Sequence, residues 1–340
     1  MKDLPRNVTL DRWSSFRTRC VAEHAVQVAR SEELDEVMHR CRRSGLGLTL
    51  LGGGTNVVLR DRVQGCVVRI ASRGLVFDDH GEHVRVSAEA GESWHGLVRA
   101  CVGRGLAGIE NLALIPGDVG AAPIQNIGAY GMELSERLVE VRVIDRASGA
   151  RTTMTRADCR FGYRGSAFKV ELRDRCFITG ITLELSRRFR PELGYPDVAR
   201  EIARMGVHPT LASVCEAVVR IRRRKLPDPR HVGNAGSFFK NPVLDAARLA
   251  RVRHALPGIA ERTTPEGIRV PAAALIDACG MKGARRGPVG VWQRQPLVLV
   301  NFGGARGADV LALADEVRAR VLAAFGVTLE LEPTVLGMDR

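Results

Sequence analysis

The chain has 340 residues, of which 45% are hydrophobic and 26% are charged, a composition ordinary for a folded protein. Its length favours two or three domains, because a single core seldom grows beyond about 250–300 residues. No apolar run of about 18 residues could span a bilayer, and the first 20 residues mix charged with apolar positions, unlike a secretory signal. We therefore expect a cytoplasmic protein without membrane insertion.

The net charge of +13 is compatible with a nucleic acid or with any polyanionic small ligand. Nucleic-acid domains interleave basic residues with stacking aromatics, but aromatics are only 5% here. The densest basic run, RIRRRK at 220–225, ends a helical pattern, where cations also offset the helix dipole. With no CxxC pair and no histidine cluster, neither zinc nor a disulfide framework is indicated, and the eight cysteines are expected to act as small hydrophobes.

In the first half of the chain, apolar periodicity predicts helices and strands in irregular alternation. A helix is expected between Ser31 as N-cap and Gly45 as stop signal. Residues 46–61, LGLTLLGGGTNVVLRD, read as strand, tight turn and strand. Residues 82–90 alternate as a strand, and Ser93 opens another helix. This order favours a mixed sheet over a doubly wound parallel one.

In the second half, the character of the sequence changes near residue 188, where we place a domain boundary. A helix follows around residues 211–218, and another at 309–325 is closed by Gly326. Residues 327–332 then alternate like a strand, with the apolar residues on one face and the polar ones, including the last, on the other.

Two glycine-rich segments suggest a nucleotide site. GGGTN at 52–56 suits close approach of backbone N–H groups to a phosphate, although in isolation a plain tight turn is the preferred explanation. The long irregular segment 109–131 is rich in glycine and alanine and could enclose a large flat ligand. Together they predict amides for a pyrophosphate and walls for a ring system. Neither a Walker A string nor the Rossmann glycine spacing is present.

Three polar residues stand out by context: Arg164 between aromatics in CRFGYRGSAFK, Ser237 in GNAGSFFKNP, and Glu332 beside Pro333. From residue chemistry alone, the three could also have no function in catalysis: Arg164 could be a surface arginine, Ser237 a turn serine and Glu332 a solvent-facing glutamate.

Seven strings occur in the order and at the spacing of the UDP-N-acetylenolpyruvoylglucosamine reductases, and on them the chain is identified as a member of that family. The strings are LGGGTN, ENLALIPGDVGAAPIQNIGAYG, CRFGYRGSAFK, KLPDP, GNAGSFFKNP, LVLVN and LEPTV. The resemblance covers nearly the whole chain. It implies a flavoenzyme that completes UDP-N-acetylmuramate for bacterial peptidoglycan. The stretch LGYPDV resembles the longer form of the family, in which a tyrosine loop closes over the substrate.

The resemblance implies an α+β fold. A two-part FAD-binding region of the vanillyl-alcohol-oxidase (PCMH) type is expected at residues 1–75 and 76–188. An α+β substrate-binding domain with the tyrosine loop follows at 189–325, and a C-terminal strand at 326–340 returns to the active site. A monomer is expected.

The resemblance also implies the site residues. Ser237 matches the family's proton donor, and Arg164 and Glu332 match its electrophilic pair. The residues expected to hold FAD are Gly52, Gly53, Gly54, Thr55, Asn56, Gly117, Gln125, Asn126, Gly128, Ala129, Tyr130 and Gly131. The expected contacts of the substrate or of the nicotinamide nucleotide are Tyr195, Lys225, Asn241 and Gln295. Trp292 stands where the family commonly has histidine.

The implied reaction has two stages: NADPH reduces FAD, and reduced FAD then gives hydride to C3 of the enolpyruvyl ether while a proton reaches C2. The partners are NADPH and a UDP-linked enolpyruvyl amino sugar, whose negative charges the basic chain would attract. Two alternatives stay open, a flavin oxidase on the same scaffold and a nucleic-acid-binding protein.

Overall fold

The computed structural model describes residues 4–339. Within them the chain forms seven α-helices and twenty β-strands, joined by turns and short 3-10 segments. The helices α1 to α7 are Ser31–Arg43, Trp94–Val102, Pro196–Met205, Leu211–Lys225, Ala246–Ala255, Ala272–Ala278 and Gly307–Phe325. The strands β1 to β20 are Arg6–Thr9, Val21–Val28, Leu48–Leu51, Val57–Leu59, Arg62–Ile70, Leu75–His80, His83–Glu89, Gly128–Ala129, Met132–Glu133, Leu138–Asp145, Arg151–Thr155, Cys176–Ser186, Gly233–Ser237, Val243–Leu244, Arg262–Thr264, Gly267–Arg269, Arg285–Arg286, Val289–Val291, Val298–Asn301 and Thr334–Leu336.

The chain folds as two compact units. The first contains residues up to Arg6, His24–Gly53 and Gly65–Arg224, and the second contains Asn7–Glu23, Gly54–Gln64 and the chain from Lys225 onward. Helix α3 and all of α4 except Lys225 belong to the first unit in this division. The boundaries expected at residues 75, 188 and 325 stay predictions.

The core of the first unit lies against a five-stranded antiparallel sheet of order β11-β10-β12-β7-β6. Strand β7 alternates between buried and exposed residues, as the sequence predicted for residues 82–90. Helix α2 packs on this core through Trp94, whose indole N–H donates to Leu112 O at 3.0 Å. The Ser93 hydroxyl accepts from the Gly96 N–H at 3.3 Å, which confirms the predicted N-cap.

Helix α1 covers a smaller core in the first unit that includes residues of β3 and β5. Strands β3 and β5 pair in parallel, and β4 pairs in parallel with β20, so parallel and antiparallel pairs coexist, as predicted. The predicted N-cap of α1 was wrong: Ser31 is the first helical residue, and Arg30 is the cap. The Glu33 carboxylate accepts from the N–H groups of Ala29 and Arg30 at 2.7 and 3.3 Å, so an acid inside the helix satisfies donors at its start.

The second unit is organised around a four-stranded sheet of order β13-β19-β18-β17, with a core that includes residues of α5, α6 and α7. Strand β19 is buried along its whole length. The predicted helix at 309–325 is confirmed as α7, which Gly326 ends in the left-handed conformation at φ 68°. The helix predicted around 211–218 is confirmed as part of α4 in the first unit.

The predicted strand at 327–332 was wrong. In the described part of the chain, residues 327–330 pair with no strand, Leu331 makes one bridge to Phe239, and the strand β20 begins only after Pro333. Glu332 is 7% exposed and does not share the exposure of the polar positions before it. Its N–H donates to Phe238 O at 3.0 Å and its carbonyl accepts from the Asn56 amide at 3.3 Å, so long-range hydrogen bonds override the simple alternation.

The eight cysteines are free, and all except Cys176 and Cys279 are buried. Burial raises the pKa of the Cys101 thiol to about 12, which makes this side chain an inert hydrophobe in the core of the first unit. Among the described residues, none of the helices combines the length and the apolar character needed to cross a bilayer.

Candidate active site

In the first unit, Gly52 and Gly53 of the first glycine-rich segment pack closely against the second segment, residues 109–131. A Cβ atom on Gly53 would lie 3.0 Å from Gly117 Cα, and one on Gly120 would lie 2.6 Å from Ala90 Cβ. A Cβ atom on Gly52 would lie 3.4 Å from Ala121 Cβ, an ordinary van der Waals contact. The structure therefore brings the predicted FAD residues Gly53 and Gly117 together at half-exposed backbone, with the Asp118 carboxylate beside them. Such a surface fits a pyrophosphate, because bare amides can approach its oxygens closely.

The loop after the 3-10 segment Val119–Gln125 is held in left-handed conformations. Asn126 and Tyr130 have φ of 47° and 48°, and Gly131 has φ of 88°. The Asn126 amide donates to Glu133 Oε2 at 2.7 Å and accepts from the Ser135 N–H at 3.0 Å, so it fixes the loop from within. Its predicted FAD contact stays a prediction, as does that of Gln125.

Arg164 lies at this loop. Its Nη2 donates to Gly128 O at 2.8 Å, and its guanidinium lies 5.4 Å from the centroid of the Tyr163 ring. Arg164 itself has φ of 51°, a conformation that few non-glycine residues adopt. The structure therefore places the predicted catalytic arginine beside Gly128 and Ala129 of strand β8, two predicted FAD residues.

Two tyrosines of the first unit meet near the same loop. The rings of Tyr130 and Tyr195 are 5.2 Å apart in a T-shaped arrangement, and Tyr195 is 43% exposed at the start of α3. Arg222 donates from Nε to Leu114 O at 3.1 Å and hydrogen-bonds the Tyr130 phenol. Burial lowers the pKa of the Arg222 guanidinium, and its interaction with Tyr130 opposes that shift in part.

The basic run at the end of α4 therefore does more than offset the helix dipole. Arg222 supports Tyr130, and Arg224 makes two hydrogen bonds to the buried Glu201 carboxylate, the shorter at 2.7 Å. Sequence reasoning missed Arg222, because nothing in a run of similar arginines shows which one turns inward.

In the second unit, Ser237 ends strand β13 directly after Gly236, whose φ is 68°. Phe238 and Phe239 follow it and are fully buried, with ring centroids 5.4 Å apart. Phe238 also packs edge-on against Phe16 at 6.0 Å. The two phenylalanines therefore anchor the segment after Ser237 in the core of the second unit.

Glu332 lies beside the same motif. Its backbone N–H bonds to the carbonyl of Phe238, the residue after Ser237, and its own carbonyl accepts from Asn56. Strand β20, two residues later, pairs with β4, which follows Asn56. The structure thus brings together two predicted catalytic residues and the predicted FAD residue Asn56. Gly54 has φ of 61°, and its carbonyl accepts from the Ser15 N–H at 2.9 Å.

The remaining predicted substrate contacts also belong to the second unit. Lys225 is the last residue of α4, and its carbonyl accepts from the Trp292 indole N–H at 3.1 Å. The Gln295 N–H donates to Trp292 O at 3.3 Å, within the turn between β18 and β19. The Asn241 side chain accepts from the Ala272 N–H at 2.9 Å. The role of Trp292 in holding Lys225 could not be read from the sequence.

Comparison with known proteins identifies the family. Residues 22–155 match the model of the FAD binding domain, and residues 228–336 match that of the C-terminal domain of UDP-N-acetylenolpyruvoylglucosamine reductase. The UDP-N-acetylenolpyruvoylglucosamine reductase of Paraburkholderia phytofirmans is 48% identical over 320 residues, which cover 93% of this chain and 92% of that protein. This chain belongs to the UDP-N-acetylenolpyruvoylglucosamine reductase family. The oxidoreductase activity expected from the sequence is therefore confirmed, and the oxidase and nucleic-acid alternatives are not favoured.

Other reductases of the family agree. The enzyme of Ralstonia nicotianae is 44% identical over 334 residues, covering 96% of this chain and 97% of that protein. The crystal structure of the UDP-N-acetylenolpyruvylglucosamine reductase of Thermus caldophilus superposes with a TM-score of 0.69 at 27% identity, covering 99% of this chain and all of that one. The expected α+β fold, an FAD-binding domain followed by the reductase C-terminal domain, is confirmed.

Proposed function

We propose that this reductase takes its electrons from NADPH and reduces the enolpyruvyl group of UDP-N-acetylglucosamine enolpyruvate with Arg164, Ser237 and Glu332 as its catalytic residues. The observation that carries the proposal is the hydrogen bond from Glu332 N–H to Phe238 O. This bond joins the segment of the proposed acid to the motif of the proposed proton donor. Ser237 and Glu332 both belong to the second unit.

Arg164 and Glu332 are proposed to polarise the substrate, because its alkene reacts poorly with hydride. An alkene beside a carboxylate resists hydride until negative charge can move onto the carboxylate, so a cation and a hydrogen-bonding acid must already be in place. Arg164 supplies the cation and Glu332 the acid. The burial of Glu332 suits this role, because electrostatic stabilisation is stronger where water is excluded. FAD, when bound, supplies the hydride chemistry that links the nicotinamide to the alkene.

Ser237 then delivers the proton. The carbanion character that develops at C2 is basic enough to take a proton from a neutral hydroxyl, so Ser237 needs no depressed pKa. Gly236 permits the tight turn before the serine, and the two buried phenylalanines hold the segment after it.

The proposed FAD residues of the first unit are Gly52, Gly53 and those of the 117–131 segment, where much of the backbone is half-exposed. The proposed contacts of the substrate and the nicotinamide nucleotide are Tyr195, Lys225, Asn241 and Gln295. Lys225 suits a phosphate, because its ammonium is a compact charge on a flexible stem. We further propose that the protein is a cytoplasmic monomer that acts in peptidoglycan precursor synthesis.

The substitution Ser237→Ala tests the assignment. Stopped-flow absorbance should show flavin reduction by NADPH near the wild-type rate, but reoxidation by the enolpyruvyl substrate slowed at least ~100-fold, the scale of losing a general acid. Ser148→Ala in a surface turn of the first unit serves as control and should leave both stages unchanged. Equal damage to both stages by Ser237→Ala would reject the proton-donor role.

A further inference from the structure

Asn234, three residues before the proposed proton donor, uses both ends of its side-chain amide within the protein. Its Oδ1 accepts from the Gly236 N–H at 3.0 Å, while its Nδ2 donates to Val232 O at 2.9 Å and to Pro227 O at 3.2 Å. Asn234 is 6% exposed, so these bonds do not compete with bulk water. Its backbone is held as well, since its N–H donates to Ser15 O at 3.1 Å and its carbonyl accepts from the Ser15 hydroxyl at 2.6 Å.

The amide spans an irregularity in the strand pairing. In the β13–β19 ladder, Asn234 faces Val300 but Ser237 faces Val298, so two residues of β13 stand opposite the single residue Leu299. This is the pattern of a β-bulge, which redirects the side chains that follow it. Because side chains alternate along a strand, gaining one residue moves Ser237 to the opposite face of the sheet from the one an unbulged ladder would give it.

The bulge contains Gly236, whose φ of 68° is left-handed. The hydrogen bond from its N–H to Asn234 Oδ1 closes the bulge locally, in the manner by which asparagine side chains stabilise turns. The two donor bonds of the same amide fix Asn234 itself to the 227–232 segment, two residues after Lys225. One side chain therefore ties the bulge to the segment that follows Lys225, the proposed phosphate contact.

We propose that Asn234 is a positioning residue that sets the direction of the Ser237 hydroxyl by holding this bulge. The inference rests on the proposed role of Ser237. Asn234 is proposed to act through Ser237 and not on a reacting atom. Its removal should misdirect the proton donor and leave the reduction of the flavin untouched.

The first variant is Asn234→Ala. Flavin reduction by NADPH should stay within about twofold of wild type, while reoxidation by the enolpyruvyl substrate should slow about 10- to 100-fold, since misplacing a reacting group by 1 Å costs about 10²-fold. The solvent deuterium isotope effect on reoxidation should rise, because proton transfer becomes more rate-limiting. Hydrogen exchange at the Gly236 amide should accelerate at least ~10-fold, because its acceptor is gone.

Gly236→Ala perturbs the same bulge by a different route. A Cβ at this position meets no heavy atom within 4 Å, so the substitution causes no clash and acts only through the left-handed φ. It should give the same selective slowing of reoxidation. This variant keeps the proposal testable if Asn234→Ala folds poorly.

Asn301→Ala is the matched control. Asn301 is 4% exposed in strand β19 of the same sheet, and its amide also bridges backbone groups, donating to Phe16 O at 2.9 Å and accepting from Gly303 N at 2.8 Å. It pairs with Gly233, before the bulge. Its loss should lower the melting temperature about as much as Asn234→Ala but should leave the ratio of the two stage rates unchanged.

The outcomes separate the two proposals. If Ser237→Ala slows reoxidation selectively but Asn234→Ala and Gly236→Ala behave like Asn301→Ala, the positioning role is overturned and the proton-donor role stands. If Ser237→Ala leaves reoxidation at the wild-type rate, both are overturned. An unchanged exchange rate at the Gly236 amide in Asn234→Ala would also overturn the positioning role.

Discussion

Gly120 of the first unit lies in the 3-10 segment Val119–Gln125, and Asn234 of the second lies at the bulge of β13. The backbone is held in opposite ways at the two positions. Around Gly120 the chain is shaped by the absence of side chains: a Cβ there would lie 2.6 Å from Ala90 Cβ. Around Asn234 it is shaped by hydrogen bonds from one buried amide to residues 227, 232 and 236.

This difference predicts which kind of substitution should disrupt each region. The glycine-rich region should be sensitive to added atoms, because its backbone segments are already in contact. The serine region should be sensitive to removed polar groups, because a buried donor or acceptor left without its partner costs about 1–3 kcal/mol. These sensitivities also match the role proposed for each region. The glycine-rich region would bind a pyrophosphate, which needs bare amides, whereas the serine region would hold a proton donor, which needs one fixed direction.

The largest effect is expected in the second region, from Glu332→Gln. The substitution keeps the shape of the side chain but removes the acid, so flavin reoxidation should slow about 10²- to 10³-fold, the range for losing one preorganised electrostatic group. Flavin reduction by NADPH should not change. Rapid-mixing absorbance of the two stages measures both.

Glu330→Gln is the matched control for that experiment. Glu330 lies two residues earlier, is exposed, and makes a surface ion pair with Lys240 at 2.9 Å. Its neutralisation should alter stability by less than about 1 kcal/mol and leave both stages intact. A comparable loss of turnover in both variants would remove the case for Glu332 as the polarising acid.

An intermediate effect is expected in the first region, from Gly120→Ala. One methyl group forced against Ala90 should lower the free energy of unfolding by about 1–3 kcal/mol and weaken FAD binding. Denaturant unfolding of the apoprotein and fluorescence titration with FAD measure the two changes. Gly47→Ala is the control, since its Cβ would meet no heavy atom within 4 Å and its φ is not left-handed. If both variants are equally stable, the close-packing description of this region is wrong.

The smallest effect is expected from Trp292→Phe, which removes the indole N–H that donates to Lys225 O. A net hydrogen bond is worth about 0.5–1.5 kcal/mol, so KM for the UDP-linked substrate should rise about 2- to 10-fold with little change in kcat. Steady-state kinetics with varied substrate measure this. A lower kcat at constant KM would show that Trp292 acts on the chemical step instead of on the Lys225 segment.

Some features of the site were predictable because they depend on neighbours in sequence. Ser93 caps α2 through a residue three positions away, and Gly326 ends α7 in a conformation that glycine adopts without strain. Phe238 and Phe239 anchor the serine motif simply by being apolar. The motif strings were specific enough to indicate the family, and the relatives confirm it.

Other features depend on partners that no local pattern names. The alternation after Gly326 put Glu332 with the exposed residues, but it is buried because Asn56, 276 positions earlier, and Phe238 bond to its backbone. Ser31 looked like a cap, yet it is the first helical residue, and the Glu33 carboxylate accepts from the N–H groups of Ala29 and Arg30. The roles of the individual site residues, and the domain boundaries, stay predictions.

By itself, the sequence determined the positions of α1, α2, α4 and α7 and of the strand near residues 82–90, because these follow from residue chemistry over a few neighbouring positions. The reaction was indicated by whole motif strings and their spacing, through the resemblance to the family. Only the tertiary structure decided that Arg222 reaches Leu114 and Tyr130, that Trp292 holds Lys225, and that Asn234 closes a bulge before Ser237. The physical reason is that a buried polar group must find a partner wherever the folded chain supplies one.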